Sequence, residues 1–301
     1  MVRLGIVDFD SSHAVAFTQI LNHTHPVREQ WVDGARVVVG CVLPSKVQAE
    51  ERIRAYAAQC AAYGVEMVNS PEELIGRVDG VLLESDDGRT HLERARPFLE
   101  AGIPTFIDKP LPFSLEEGRE ILHLAKTNAA PLFSASALRF AQEVVAVRQE
   151  AGNYGALLGA STYSPANDQG ENPGLIYYGI HAIEMLYGLM GVGCKWVSSA
   201  YSPQGTVITA EWSDGRVSSL RGTTQGAHAY GFTAWCAKAV VHTPVNPGFI
   251  YRELMKRVVE FFRTGIAPVA PEETLETIAF GQAAVASLRA QGKRIELEQL
   301  M

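Results

Sequence analysis

At 301 residues the chain is long enough for two ordinary domains, each with a core of its own. Hydrophobic residues make up 47% and charged residues 20%, a globular composition that excludes a disordered or collagen-like chain. With 26 Lys and Arg against 33 Asp and Glu, the net charge of −7 offers nucleic acid or an anionic membrane no global attraction, and no basic run supplies a local one.

The chain starts with a short apolar run that meets Asp8 before a signal-peptide core could form. No stretch approaches the roughly 18–20 apolar residues of a membrane span. Residues 4–7 read as a buried strand, 8–12 as a polar turn and 14–21 as a helix. Residues 35–43 are a nearly continuous apolar strand, as in a parallel sheet covered on both faces, and 48–62 follow as a helix. Strands at 80–83, 105–107 and 131–135 alternate with helices at 92–100, which ends at Gly102, and after Ser114, which caps with Glu117 three residues on. This alternation predicts an α/β fold, a Rossmann-like doubly wound parallel sheet, over residues 1–135.

Residues 136–301 read as a C-terminal α+β domain with an open, largely antiparallel sheet. Its strands are expected at 157–163, 196–200, 205–212, 216–223 and 237–242, with a hairpin turn at Ser213-Asp214-Gly215. Helices are expected at 180–190, 251–264 and 271–291. Four widely spaced cysteines, Cys41, Cys60, Cys194 and Cys236, form no C-x-x-C pair and read as packed thiols of a cytoplasmic protein.

Ligands of an open parallel sheet sit beyond the carboxyl ends of its strands. The turns there are Asp8-Phe9-Asp10-Ser11-Ser12-His13, Glu84-Ser85-Asp86-Asp87-Gly88-Arg89-Thr90-His91 and Asp108-Lys109-Pro110. His91 reads as a packing or capping residue of the following helix. If the 4–7 and 80–83 strands are neighbours, Asp8, Asp10, Glu84, Asp86 and Asp87 converge. Like charges about 5 Å apart at an effective dielectric near 20 repel by roughly 3 kcal/mol per pair before screening. Such a cluster suits a divalent metal or sugar hydroxyls at least as well as a phosphate, although no residue is assigned here as a metal ligand.

The segments 79–83, His91, 100–104 and Asp108-Lys109-Pro110-Leu111, with Leu138-Arg139-Phe140, Tyr178-Gly179-Ile180-His181 and the ending Thr264-Gly265…Pro268-Val269…Glu272-Glu273, resemble the Gfo/Idh/MocA oxidoreductase family in the right order along nearly the whole chain. The resemblance implies a dinucleotide-binding-type domain, a substrate and oligomerisation domain, and a sugar, polyol or related substrate between them. It implies hydride transfer with NAD or NADP and a homo-oligomer, dimer or tetramer. It makes Lys109 the motif lysine beside the nicotinamide, with Pro110 commonly cis, and His181 the base that takes a hydroxyl proton. Tyr177 stands where the family has an acid four residues before that histidine. Asp8, Asp10, Ser12, His13 and Ser45 fall on the cofactor side, with Ser85, Asp108, Lys109 and Pro110. Arg139, Tyr178 and Glu184 fall on the substrate side.

Departures from the family pattern are equally specific. The three glycine positions of a dinucleotide fingerprint are Asp8, Asp10 and His13. The ribose-binding acid at the end of the second strand is absent, and Ser45-Lys46 there would suit the 2′-phosphate of NADP. The alternative is a cofactor-degenerate relative, a lyase, isomerase or binding protein, that handles a carbohydrate without nicotinamide redox.

Overall fold

In the computed structural model, which describes residues 1–168 and 174–301, the opening apolar run forms β1 (Val2–Val7), buried from Leu4 onward. There follow α1 (Ser12–Leu21), β2 (Ala35–Cys41), α2 (Glu50–Ala62), β3 (Glu66–Val68), β4 (Gly80–Leu83), α3 (His91–Glu100), β5 (Thr105–Ile107), α4 (Leu115–Thr127) and β6 (Leu132–Phe133). The six strands are parallel, in the order β3-β2-β1-β4-β5-β6. This is the doubly wound arrangement, with the order reversing between β1 and β4. The short β3 was not foreseen, because its three residues are at most half-buried and carry no apolar run.

Alternate residues of the strands serve two different cores. Val39, Cys41, Val81, Leu83, Ile107 and Leu132 pack with Phe98 and Leu99 of α3 and Ile121 of α4. On the opposite face, Phe106 meets Phe133, whose ring lies 5.6 Å from that of Phe261 in the helix Ile250–Thr264. That helix lies close to the sheet at Gly80, where an added Cβ would stand 2.4 Å from the ring of Phe262.

The chain thus divides into two units, Met1–Ala135 with Tyr251–Thr274, and Ser136–Ile250 with Leu275–Met301. A single boundary between residues 135 and 136 misses the return of 251–274 to the first unit. That segment carries an amphipathic helix, and its pattern does not specify which sheet it covers.

The second unit contains α5 (Gln142–Gln149), α6 (Ala151–Tyr154), β7 (Leu157–Pro165), α7 (Gly174–Tyr177), α8 (Ile180–Met190), β8 (Cys194–Ser202), β9 (Gly205–Trp212), β10 (Val217–Thr223), β11 (Gly231–Cys236) and β12 (Val240–Pro244). After α9 (Ile250–Thr264), the chain ends with α10 (Pro271–Arg289) and β13 (Ile295–Glu296). The sheet order is β12-β11-β7-β10-β9-β8-β13, antiparallel except for the β7–β10 pair. Helix α8 is buried along its whole length, and Thr162 of β7 donates a 2.9 Å hydrogen bond to its Ala182 carbonyl.

Residues 237–242 do not form one strand as expected. The backbone amides of Ala237 and Lys238 bond to the carbonyls of Ala156 and Tyr154, and Cys236 closes a turn onto Ala239. Residues 237–239 are therefore the bend between β11 and β12, and 240–242 open β12. No helix of the described residues is long and apolar enough to cross a membrane, and the four cysteines are buried and free.

Candidate functional site

The carboxyl ends of β2, β1, β4 and β5 lie side by side in the first unit and hold most of the residues singled out above. Asp8, directly after β1, takes the left-handed backbone conformation at φ +74°. Glycine adopts that conformation without cost, and Asp and Asn are the side-chain-bearing residues that tolerate it best. A carboxylate thus stands at a left-handed position directly after the first strand. The next residues lead into α1, where Ser11 caps the helix by accepting from the His13 amide at 3.2 Å, and Ser12 is exposed in its first turn.

Asp8, Asp10 and Asp87 do not converge on one point, because each takes its own partner. The buried Asp8 carboxylate is paired with Arg94 of α3 and accepts from the Ser85 hydroxyl. Arg94 also donates to Ser85 Oγ at 3.0 Å and to the Pro44 carbonyl at 2.6 Å. Burial pushes the Asp8 carboxyl up to about 6 against the pull of Arg94. Asp10 reaches across to accept from the Asp86 amide at 2.8 Å. Burial raises its pKa too, opposed by the Ser45 hydroxyl and that amide. Asp87 caps the turn before α3 and grips Arg89 through both oxygens at 2.7 and 2.9 Å. His91 spans the Leu111 and Ser85 carbonyls at 2.8 and 2.9 Å, tying the turn after β4 to the one after β5.

A second cluster forms around His13, Glu84 and Asp108. His13 Nδ1 lies 2.6 Å from Asp108 Oδ2, and Nε2 lies 3.0 Å from the hydroxyl of Tyr251 in α9. Phe17 stacks on the imidazole and Tyr251 meets its edge. Burial works to raise the Asp108 pKa, yet His13 and Lys109 together hold it down to about 2. Glu84 is fully buried, and among the described residues neither of its oxygens has a hydrogen-bond partner. Burial, then the Asp108 charge, raise its pKa well above the ordinary carboxylate value, while Lys109 opposes them. Lys109 is itself buried and joined to Pro110 by a cis peptide bond.

In the second unit, Ser136 Oγ lies 2.6 Å from His181 Nδ1 near the start of α8, and the rings of Tyr178 and Tyr230 lie 6.1 and 5.7 Å from the imidazole. Tyr177 is buried against Tyr178. Arg139 and Glu184, both expected at the substrate, form a buried ion pair with each other. Sequence reasoning missed Arg94, Tyr251, Ser136 and Tyr230. Arg94 alone carried a signal, being three residues after His91 on the same helix face.

Beyond the end of β2 lies a cavity of about 310 Å³ lined by Val42, Leu43, Pro44, Ser45, Gln48, Glu50, Ile53 and Arg54. Its apolar walls and polar rim are of a size and kind that a nucleoside can occupy. Ser45 is among its lining residues, and Arg54 supplies a cation there, paired with Glu50.

Residues 16–136 match the family model described as GFO_IDH_MocA, oxidoreductase family, NAD-binding Rossmann fold. Over that segment, under half of the chain, the sequence matches the Gfo/Idh/MocA oxidoreductase family. The match begins just after the Asp8–His13 turn, where the sequence departs from the fingerprint. Among solved structures, the chain is similar to a probable dehydrogenase from Thermotoga maritima, with TM-score 0.82 and 18% identity over 100% of both chains. It is also similar to a myo-inositol dehydrogenase from Corynebacterium glutamicum, with TM-score 0.80 and 16% identity over 99% of both. A third is a scyllo-inositol dehydrogenase from Lactobacillus casei, solved with bound NAD(H) and scyllo-inositol, with TM-score 0.78 and 15% identity over 99% of both. At these identities the likeness establishes the fold. No curated protein matches the sequence.

Proposed function

We propose that the chain is a nicotinamide-dependent oxidoreductase acting on a CH–OH group of a sugar or polyol, working in the cytoplasm as a homo-oligomer. The observation that carries this reading is the strand-end arrangement of a family Rossmann domain, with a left-handed turn at Asp8 after β1 and the cis Lys109–Pro110 motif after β5. The inositol dehydrogenases of the same fold point to the substrate class.

The residues present fit a dinucleotide. The cavity beyond β2 accommodates the adenosine end, with no carboxylate at the strand end itself to exclude a 2′-phosphate, so Ser45 and Arg54 favour NADP over NAD. The carboxylates at the glycine positions are turned inward, Asp8 to Arg94 and Asp10 to the Asp86 amide. The N-terminal turn of α1, including the exposed Ser12, supplies amides for a phosphate. When bound, the nicotinamide accepts a hydride from the carbon being oxidised. By the family resemblance, Lys109 of the first unit is the residue that polarises a substrate hydroxyl through its ammonium, and His181 of the second unit is the base for a hydroxyl proton. Ser136 on Nδ1 fixes the orientation of that imidazole. Tyr178, beside it, contacts the substrate, and Tyr177 packs behind, while Arg139 and Glu184 stiffen the start of the second unit as a pair.

Replacing the base tests these roles. His181→Ala is expected to lower kcat for polyol oxidation by about 10²–10⁴-fold while leaving NADPH affinity unchanged. Equal loss of nucleotide binding, or full activity, would contradict the assignment. A second reading, carbohydrate chemistry without nicotinamide, is favoured by one observation only, the side chains of Asp8 and Asp10 standing where a pyrophosphate usually approaches bare backbone.

A further inference from the structure

Three neighbouring parallel strands bring one imidazole and two carboxylates together. His13 comes from the first turn of α1, Glu84 from the residue after β4 and Asp108 from the residue after β5. One ligand-type atom of each, the imidazole nitrogen and two carboxylate oxygens, lies within 4.8 Å of the other two. Donor atoms about 2.0–2.2 Å from a common ion stand roughly 3–4 Å from one another, so the group reaches that spacing by opening the 2.6 Å His13–Asp108 contact and drawing in any pair near the 4.8 Å limit.

The cluster alone would not make a site. What points to a ligand is Glu84, which has no exposed surface and, among the described residues, no hydrogen-bond partner on either oxygen. Burying a carboxylate without a partner costs several kcal/mol, about 1–3 for the lost hydrogen bond and more for a charge. His13 is also prepared as a metal ligand would be. Its second nitrogen is in hydrogen-bond contact with Tyr251, and Phe17 and Tyr251 pack on the ring, which fixes its direction.

We propose that His13, Glu84 and Asp108 bind a divalent first-row transition-metal ion such as Zn²⁺ or Mn²⁺. One imidazole and two carboxylates suit these ions, and three protein ligands leave coordination positions for water or the oxygens of a hydroxylated ligand. Lys109 beside Glu84 and Asp108 offsets part of their negative charge, so the site binds the ion with moderate rather than extreme affinity. This goes beyond the proposed oxidoreductase reading and does not depend on it.

The test uses the full-length protein, stripped with a chelator and free of nucleotide, titrated calorimetrically with Zn²⁺ and separately with Mn²⁺. The expected result is one saturable equivalent per chain with a dissociation constant on the order of micromolar, and a higher Tm in the presence of metal. Glu84→Gln and His13→Ala are expected to weaken binding at least about 10-fold. Asp87→Asn, an acid outside the cluster and paired with Arg89, leaves it unchanged. Circular dichroism establishes that each variant is folded, and His13→Ala is decisive if Glu84→Gln is not. No saturable equivalent in the folded protein, or the same affinity in the cluster variants, overturns the proposal and leaves a closed ion network with Lys109. Because no nucleotide is present, this failure is distinct from a failure of the oxidoreductase reading.

Discussion

Asp8 combines a backbone conformation usually left to glycine with a buried charge, and its protonation makes a testable contribution to stability. Its carboxyl is pushed up to about 6 in the folded protein from an ordinary value of 3.8, so the folded chain holds the proton more tightly than the unfolded one. The corresponding stability is fully present below the unfolded pKa and is lost as pH rises through about 6, a swing of about 3 kcal/mol at most. Asp8→Asn, which keeps a residue tolerant of positive φ, is expected to flatten the decline in urea-unfolding free energy between about pH 4 and pH 6. An unchanged slope would remove Asp8 as its source. At this scale the sequence disclosed the chemistry-bearing residues but not their partners. His13, Asp108 and Lys109 lie in recognisable turns, whereas Tyr251 reaches His13 from a helix 238 residues away, and Ser136 reaches His181 across 45. Such pairings are set by packing, which a local pattern does not encode.

Among the elements, the helix α9 shows how a residue type fixes an approach distance. Gly80 at the start of β4 lets the Phe262 ring lie against the strand backbone. Gly80→Ala would force that buried ring to move and is expected to cost about 1–3 kcal/mol in urea unfolding. Adding Phe262→Leu should recover part of the loss if the clash is the cause, and no recovery would refute it. Strands with long apolar or alternating runs, such as β1, β4 and β9, were legible because period and burial agree. The three-residue β3 and the turn joining β11 to β12 were not, since their positions are decided by neighbouring backbone hydrogen bonds. Helix α5, only eight residues long, also escaped the pattern.

At the scale of the whole molecule, one exposed face bears on association. The open face of the second unit's sheet exposes Val207, Val217 and Trp235 from three different strands. Val217 and Trp235 flank Gly159 as an exposed apolar pair, which would suit association with a second copy. Val217→Asp is expected to shift sedimentation from oligomer to monomer, whereas a wild-type chain that already sediments as a monomer would contradict the assignment. The overall excess of seven negative charges excluded nucleic acid and membranes as general partners. Its local arrangement could not be read from the sequence, because Arg94 and the Asp86 amide neutralise or engage the acids only in three dimensions. With these carboxylates turned inward, the Rossmann domain is proposed to bind a nicotinamide dinucleotide. Titrating the full-length protein with NADPH and with NADH, followed by nucleotide fluorescence, tests it most directly. Saturable binding with NADPH the tighter ligand is predicted, and no fluorescence change with either nucleotide at millimolar concentration would contradict it.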